Sequence, residues 1–230
     1  MRKDPLSVAA RAVAAALGAG IVVIFFLVRT EEFQGVVQRV FYIHAPSAWV
    51  AYLAFAVVLI ASIAYLKTYD RRWDILARSS AEVGVLFTSL ALLTGMLWGR
   101  PVWGTYWVWE PRLTLTLVLL LIYVGYLTFR ATATDQESEA RIGAVIGIAG
   151  FAAVPLIHFS VDWWRGQHPG RTVLRPEDGP SLPPDMLGTV LWMLLAFTAL
   201  YAVLLALRVR VARLEDEVAA LEVAAADASR

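Results

Sequence analysis

Long apolar stretches separated by short polar segments dominate the chain. Six of them are about 20 residues long, which is enough for an α-helix to cross the hydrocarbon core of a bilayer. This pattern predicts an all-α integral membrane protein, with one six-span domain over residues 1–208. The predicted spans are Val8–Val28, Pro46–Leu66, Ala77–Leu97, Leu113–Phe129, Ile142–Val161 and Met186–Leu207.

Two segments outside the spans also show helical periodicity. Apolar residues recur at spacings of three and four from Phe33 to His44, which predicts a short amphipathic helix at the outer membrane interface. Residues 209–230 hold a second apolar repeat with charges between its members. Because this repeat covers only about two heptads, we expect a solvated, cytoplasmic helical tail and not a coiled coil.

Composition agrees with a membrane protein. Hydrophobic residues make up 59% of the chain and charged residues 17%. The net charge of +1 indicates no nucleic-acid partner, and the chain has no cysteine for a disulfide or a thiolate metal site. Membrane lipid is therefore the first expected partner.

Positive charges predict the orientation. Twelve Lys and Arg residues fall on the side that holds the N-terminus and the 67–78 loop, and seven fall on the other side. Cytoplasmic loops carry the excess of Lys and Arg, so both termini should be cytoplasmic, with the first apolar stretch retained as a span. The loops after the first, third and fifth spans should face outward.

The segment from Trp103 to Thr114, WGTYWVWEPRLT, is unusually aromatic for a loop between two spans. It is a platform for a large, flat, apolar ligand with charged edges, and haem fits that description. An aromatic belt at the headgroups is the alternative. Eight of the nine tryptophans fall in the outer half of the predicted topology, whereas a belt decorates both interfaces, so the count favours a binding surface.

Two histidines accompany this platform on the outer side. His44 lies just before the second span, and His168 follows the fifth. Neutral imidazole is a standard axial ligand of haem iron, so we predict that these two residues bind the metal. His158 lies within the fifth span and is interpreted as a packed, hydrogen-bonded helix residue.

Arginines near these residues could pair with the haem propionates. Guanidinium groups pair well with carboxylates. Arg100 and Arg112 bracket the Trp-rich segment, and further arginines surround His168: Arg165, Arg171 and Arg175. The last two are equally explained as surface arginines near lipid headgroups. Glu110, close to Arg112, is expected to form a local ion pair that shapes the loop.

Three stretches give the chain a family resemblance. They are FYIHAPSAW at 41–49, GMLWGRP at 95–101 leading into the Trp-rich segment, and IHFSVDWWRGQH at 157–168. Together with the six spans and the short length, they resemble the CcmC family of cytochrome c maturation. The Trp-rich segment alone is typical of a wider haem-handling superfamily.

The resemblance implies a haem-delivery protein of the bacterial inner membrane that is not an enzyme on its own. Such a protein would hold haem b non-covalently at the periplasmic face and present it to the chaperone CcmE, in association with CcmA, CcmB and CcmD. The matching ligands are His44 and His168. The matching platform is Trp103, Gly104, Trp107, Trp109 and Arg112.

One feature departs from the family pattern. The family typically has Asp followed by Ala where this chain has Glu110 and Pro111. The charge is kept with one more methylene, while proline stiffens the backbone and removes a donor. The departure leaves the loop conformation and the role of this acid open.

Three other functions remain as alternatives. A haem transport permease would need charges or broken helices along a path, and the clearest charge within a span is Glu82. An electron-transferring cytochrome b would need pairs of histidines deep in its helices. A CcsA-type cytochrome c synthase component would share the Trp-rich segment, but His44 and the short length favour CcmC.

Overall fold

The computed structural model describes residues 4–133, 135–164, 166–168 and 182–228 of the chain. Within these ranges, six helical segments are long and apolar enough to cross a membrane, which confirms the all-α, six-span architecture. The helices are α1 (Pro5–Val22), α2 (Phe41–Thr68), α3 (Arg71–Trp103), α4 (Pro111–Thr132), α5 (Gln136–Phe151), α6 (Ala153–Trp163) and α7 (Pro184–Ala228).

Local sequence sets several helix ends. Asp4, Asp70 and Asp135 each stand just before a helix, and each side chain accepts a hydrogen bond from a backbone N–H of the first turn. These contacts satisfy donors that have no partner inside the helix. α3 ends at Trp103 and is capped by Gly104, whose φ of +78° belongs to the left-handed region that favours glycine.

The fifth predicted span is two helices and not one. α5 ends at Phe151 and α6 begins at Ala153, although the sequence pattern predicted a single helix over Ile142–Val161. The cause is Pro155, which has no N–H to donate to the carbonyl of Phe151 and whose ring crowds that carbonyl. The break directs α6 towards the start of α4, against which it packs.

The start of the second span also differs from the prediction. The expected interfacial helix is a five-residue 3-10 turn, Val36–Val40, that runs directly into α2. Pro46, the first residue of the predicted second span, therefore lies inside α2, and Pro101, beyond the end of the predicted third span, lies inside α3. His44, expected at the end of the interfacial helix, is consequently in the first turn of α2.

A tight aromatic core lies between α2 and α4. Tyr42, Phe55, Tyr123 and Tyr126 are almost completely buried. The rings of Phe55 and Tyr123 stack with their centres 3.8 Å apart. Since α2 and α3 contact each other along much of their length, side chains on their facing surfaces have fixed positions, and His44 is one of them.

Charged side chains meet at one end of the helix bundle, which we call the Asp74 end. The buried guanidinium of Arg130 donates to both oxygens of Asp74, at 2.7 and 2.8 Å, and lies 3.0 Å from Glu139. Arg71 joins Asp74 to Asp216 of α7. Local hydropathy gave no sign of this cluster.

Glu82, the charge that the sequence singled out, is paired at the same end. The Arg208 Nη2 atom donates to Glu82 at 3.0 Å, and Arg210 lies 3.3 Å from Asp4. Beyond these contacts α7 continues without a break to Ala228. The apolar repeat of this segment is exposed: Val211, Leu214, Val218 and Leu221.

The opposite end of the bundle carries the Trp-rich segment. There Arg29 after α1 donates to Asp185 at the start of α7, at 2.9 Å, and the Trp98 indole donates to Gln34 at 2.8 Å. The helix ends thus group as the charge pattern predicted. Which end faces the cytoplasm stays a prediction.

Candidate functional site

The imidazole of His44 is fixed by α3. Its Nδ1 lies 2.9 Å from the carbonyl oxygen of Ala91 and 3.2 Å from the hydroxyl of Thr94. A carbonyl oxygen can only accept, so Nδ1 carries the proton and Nε2 of the neutral ring keeps a lone pair. Metal-binding histidines commonly donate their other ring N–H to a carbonyl in this way.

His44 and His168 face each other although 124 positions separate them in the chain. Their ring centres are 6.4 Å apart, and the rings are inclined by 39°. The Trp98 ring packs edge-on against His44, with its centre 5.7 Å away. The structure therefore brings together the two histidines that the sequence predicted as a pair.

His168 is held by residues on both sides of the α4 start. The backbone N–H groups of Gln167 and His168 donate to the Glu110 carboxylate, at 2.7 and 3.1 Å. The Arg112 guanidinium lies 3.1 Å from Nδ1 of His168 and also donates to the His158 carbonyl at the same distance. Backbone and ring of His168 are thus fixed from one short segment.

These contacts correct the expected role of Glu110. The sequence predicted a local ion pair with Arg112, whereas the structure directs the carboxylate to two backbone amides. Glu110 is only 7% exposed, and in the described part of the chain its Oε1 atom has no hydrogen-bond partner. Proximity in sequence suggested the wrong partner because the segment 166–168 folds back onto the start of α4.

The Trp loop, residues 104–110, has internal support. Arg100 donates to the Gly104 carbonyl and lies over the Tyr106 ring, with 5.7 Å between guanidinium carbon and ring centre. The Thr105 hydroxyl donates to the Trp107 carbonyl at 3.1 Å. Arg100, predicted as a propionate partner, therefore already supports the loop backbone in this structure.

The tryptophans of the platform differ in exposure. Trp103, in the last turn of α3, and Trp107 are half-buried, whereas 77% of Trp109 is exposed. Trp107 and Trp109 meet edge to face with their ring centres 5.5 Å apart. Trp163 and Trp164, at the end of α6, add about half-exposed surface at the same end of the bundle.

Two imidazoles surrounded by aromatic side chains suit a metal whose other ligands belong to a cofactor, such as the iron of a porphyrin. Within the described ranges, no group of three or more His, Asp or Glu is placed to hold a bare metal ion. A small open cleft lies between the start of α4 and the end of α6, and its lining includes Glu110, Arg112, Trp164 and His168.

The sequence did not predict several residues that orient the side chains of the site. Ala91 and Thr94 orient His44 from a different helix, and Gln34 orients Trp98 from the segment before α2. Such partners lie far away in sequence, and no local pattern marks them. The ring of His158 packs against Tyr52 and Phe159, as expected for a packed helix residue. Arg165, Arg171 and Arg175 lie outside the described residues.

Comparison with known proteins matches the whole bundle. The family model for CcmC, described as "Heme exporter protein C", matches residues 2–224. "Heme exporter protein C" of Haemophilus influenzae is 33% identical over 201 residues, which cover 87% of this chain and 81% of that protein. A ccmC-like mitochondrial protein of cytochrome c biosynthesis from Marchantia polymorpha is 34% identical over 77% of this chain and 74% of its own.

A further relative is more similar but longer. "Heme exporter protein C" of Bradyrhizobium diazoefficiens is 42% identical over 171 residues, and the match covers 74% of this chain but 65% of that protein. The range matched by the family model includes the histidine pair and the Trp loop. The chain belongs to the CcmC family, the haem exporter protein C family.

Proposed function

We propose that this protein binds haem at the Trp-loop end of the bundle and presents it to a periplasmic chaperone during cytochrome c maturation. The family and the names of its relatives support a haem-related role in that process. His44 and His168 would be the axial ligands of the iron. The protein would supply position and electrostatics, while the reactive chemistry would belong to the haem and its acceptor.

The separation of the two imidazoles is the observation that carries this proposal. A metal held between two imidazoles would lie about 2 Å from each ligating nitrogen, so the two rings must lie only a few ångströms apart. The ring centres of His44 and His168 are 6.4 Å apart, which is close enough for the two residues to hold one metal between them.

Arg112 connects ligation to charge recognition in this proposal. A guanidinium only donates, so the neutral His168 ring that accepts from Arg112 at Nδ1 has its proton on Nε2. If Nε2 binds iron, the proton must move to Nδ1; if Nδ1 binds iron, it needs the lone pair that Arg112 now uses. In both cases Arg112 would leave His168, and its charge would then be available to a haem propionate.

The exposed platform suits presentation better than passage across the membrane. Trp109 and the pair at the end of α6 would cover one part of the porphyrin and leave an edge accessible to CcmE. A permease would need polar groups along a path through the bundle. Instead, the charges described above are paired at the opposite end of the bundle, Asp74 with Arg130 and Glu82 with Arg208.

The assembly and location follow the family. We propose that the protein works in the bacterial inner membrane with CcmA, CcmB and CcmD, and that residues 209–230 form a cytoplasmic tail. The haem site would then face the periplasm. The excess of Lys and Arg at the Asp74 end supports this orientation.

The absorption spectrum of the detergent-purified protein tests the haem site. The wild type should carry haem b with a low-spin spectrum, and His44→Ala or His168→Ala should reduce haem occupancy and remove that signature. His158→Ala is the control, because its imidazole packs against Tyr52 and not against the other histidines. A low-spin spectrum that survives both ligand substitutions would refute the assignment.

A further inference from the structure

The carboxylate of Glu110 fits closely against the backbone of residues 166–168, with no room for a side chain at position 166. A Cβ atom at Gly166 would come within 2.5 Å of Glu110 Oε2, a distance that real Cβ contacts do not reach. The same oxygen accepts hydrogen bonds from the backbone N–H groups of Gln167 and His168. The absence of a side chain at position 166 thus permits the approach that makes these bonds possible.

The hydrogen bonds that Glu110 accepts are well suited to hold the backbone of residues 167 and 168 in place. The carboxylate is buried, and hydrogen bonds to an ionised acceptor are stronger than those between neutral groups. Glu110 is also the residue just before α4, so its backbone has the fixed position of a helix start, and Pro111 restricts it further. A mobile surface acid would offer none of this.

We infer that Glu110 is the positioning residue for His168, and that it acts together with Gly166 as a size-matched pair. This inference rests on the proposed function, since positioning matters only if His168 binds the iron. Glu110 touches the backbone of His168 and Arg112 touches its ring. Because Arg112 would leave the ring when iron binds, the backbone contact with Glu110 is the one that would keep the ligand in place. The Trp loop, which ends at Glu110, is thereby coupled to His168.

Hydrogen–deuterium exchange in the haem-free, detergent-purified protein tests the anchor without using haem. In Glu110→Ala the amides of Gln167 and His168 lose their acceptor, and we expect about tenfold faster exchange in the peptide that contains them. Glu110→Gln, which keeps one acceptor oxygen but no charge, should give a smaller increase. Glu32→Ala is the control for the lost charge, because Glu32 is an exposed acid near the same end of the bundle.

Substitutions at position 166 test the size match. Gly166→Ala should also accelerate exchange, since its Cβ would displace the Glu110 carboxylate. Glu110→Asp withdraws the carboxylate by one methylene, so the double variant Glu110→Asp/Gly166→Ala should exchange more slowly than Gly166→Ala alone. Equal or faster exchange in the double variant would overturn the size match. Gly125→Ala is the control for adding a methyl group, because it meets open space.

Haem spectra of the same variants separate this inference from the proposed function. Glu110→Ala should lower haem occupancy and shift the low-spin spectrum, and Glu110→Gln should restore part of both. Wild-type exchange in Glu110→Ala would overturn the anchor whatever the haem does. Faster exchange with an unchanged haem spectrum would overturn its positioning role. A wild-type protein that binds no haem would refute the proposed function alone, and the exchange results would still stand.

Discussion

The imidazole of His44 lies directly over Gly95. A Cβ atom at position 95 would come within 3.0 Å of Cε1 and 3.4 Å of Nδ1 of that ring. Position 95 therefore decides how closely α3 approaches the proposed ligand, and the imidazole cannot simply turn away because Ala91 accepts from its Nδ1.

Gly95→Ala should tilt His44 without unfolding the bundle. We expect a shifted low-spin haem spectrum and reduced haem occupancy, together with a thermal unfolding midpoint close to that of the wild type. Gly188→Ala, which meets no atom within 4 Å, is the matched control. An unchanged spectrum in Gly95→Ala would mean that the orientation of His44 does not govern ligation.

The Trp loop should matter for hand-over more than for ligation. Aromatic contacts contribute about 1 kcal/mol each beyond the area they bury, whereas the axial bonds set the spectrum. Trp109→Ala and the double variant Trp107→Ala/Trp109→Ala should therefore retain some low-spin haem but load co-expressed CcmE poorly. The measurement is covalent haem on CcmE relative to haem retained by this protein. Normal haem loading of CcmE by the double variant would show that these tryptophans serve only as an aromatic belt at the membrane interface.

Site-directed labelling tests the orientation. A cysteine introduced at Thr105 should react with a membrane-impermeant reagent added from outside, and a reporter fused after Arg230 should be cytoplasmic. A cysteine at Thr68, the last residue of α2, is the internal comparison and should be protected in intact cells. External labelling at Thr68 with protection at Thr105 would invert the topology and move the site to the other face.

The buried ion pair at the Asp74 end should be a large contributor to stability. The side chains of Arg130 and Asp74 are 1% and 3% exposed, so Arg130→Ala leaves a buried carboxylate without its main partner. Removing one member of such a pair costs about 3–5 kcal/mol. Thermal unfolding in detergent should show the loss. Arg141→Ala breaks the exposed pair with Glu137 and should cost about 1 kcal/mol or less; similar costs for the two variants would contradict the prediction.

Much of this architecture could be predicted from the sequence because bilayer crossing depends on length and hydropathy, which are local properties. The same locality explains the errors. Hydropathy does not register that Pro155 splits a span or that α2 begins at Phe41, since both segments remain apolar.

The site was predictable where a residue type carries the chemistry. His44 and His168 could be selected because imidazole binds iron, and the structure places their rings together. The supporting residues could not be selected in this way. Ala91 acts through a carbonyl that every residue has, and Glu110 acts on amides 57 and 58 residues away.

The position of the Arg130 cluster has a consequence for how the protein is made. Asp74 is in the first turn of α3, Arg130 is in the last turn of α4, and Glu139 is near the start of α5. Each helix can therefore enter the bilayer as a largely uncharged segment, with its charge still at the aqueous boundary. The charges neutralise one another only when these three ends meet, so the cluster favours the arrangement of α3, α4 and α5 seen in the bundle over arrangements that would bury these charges apart.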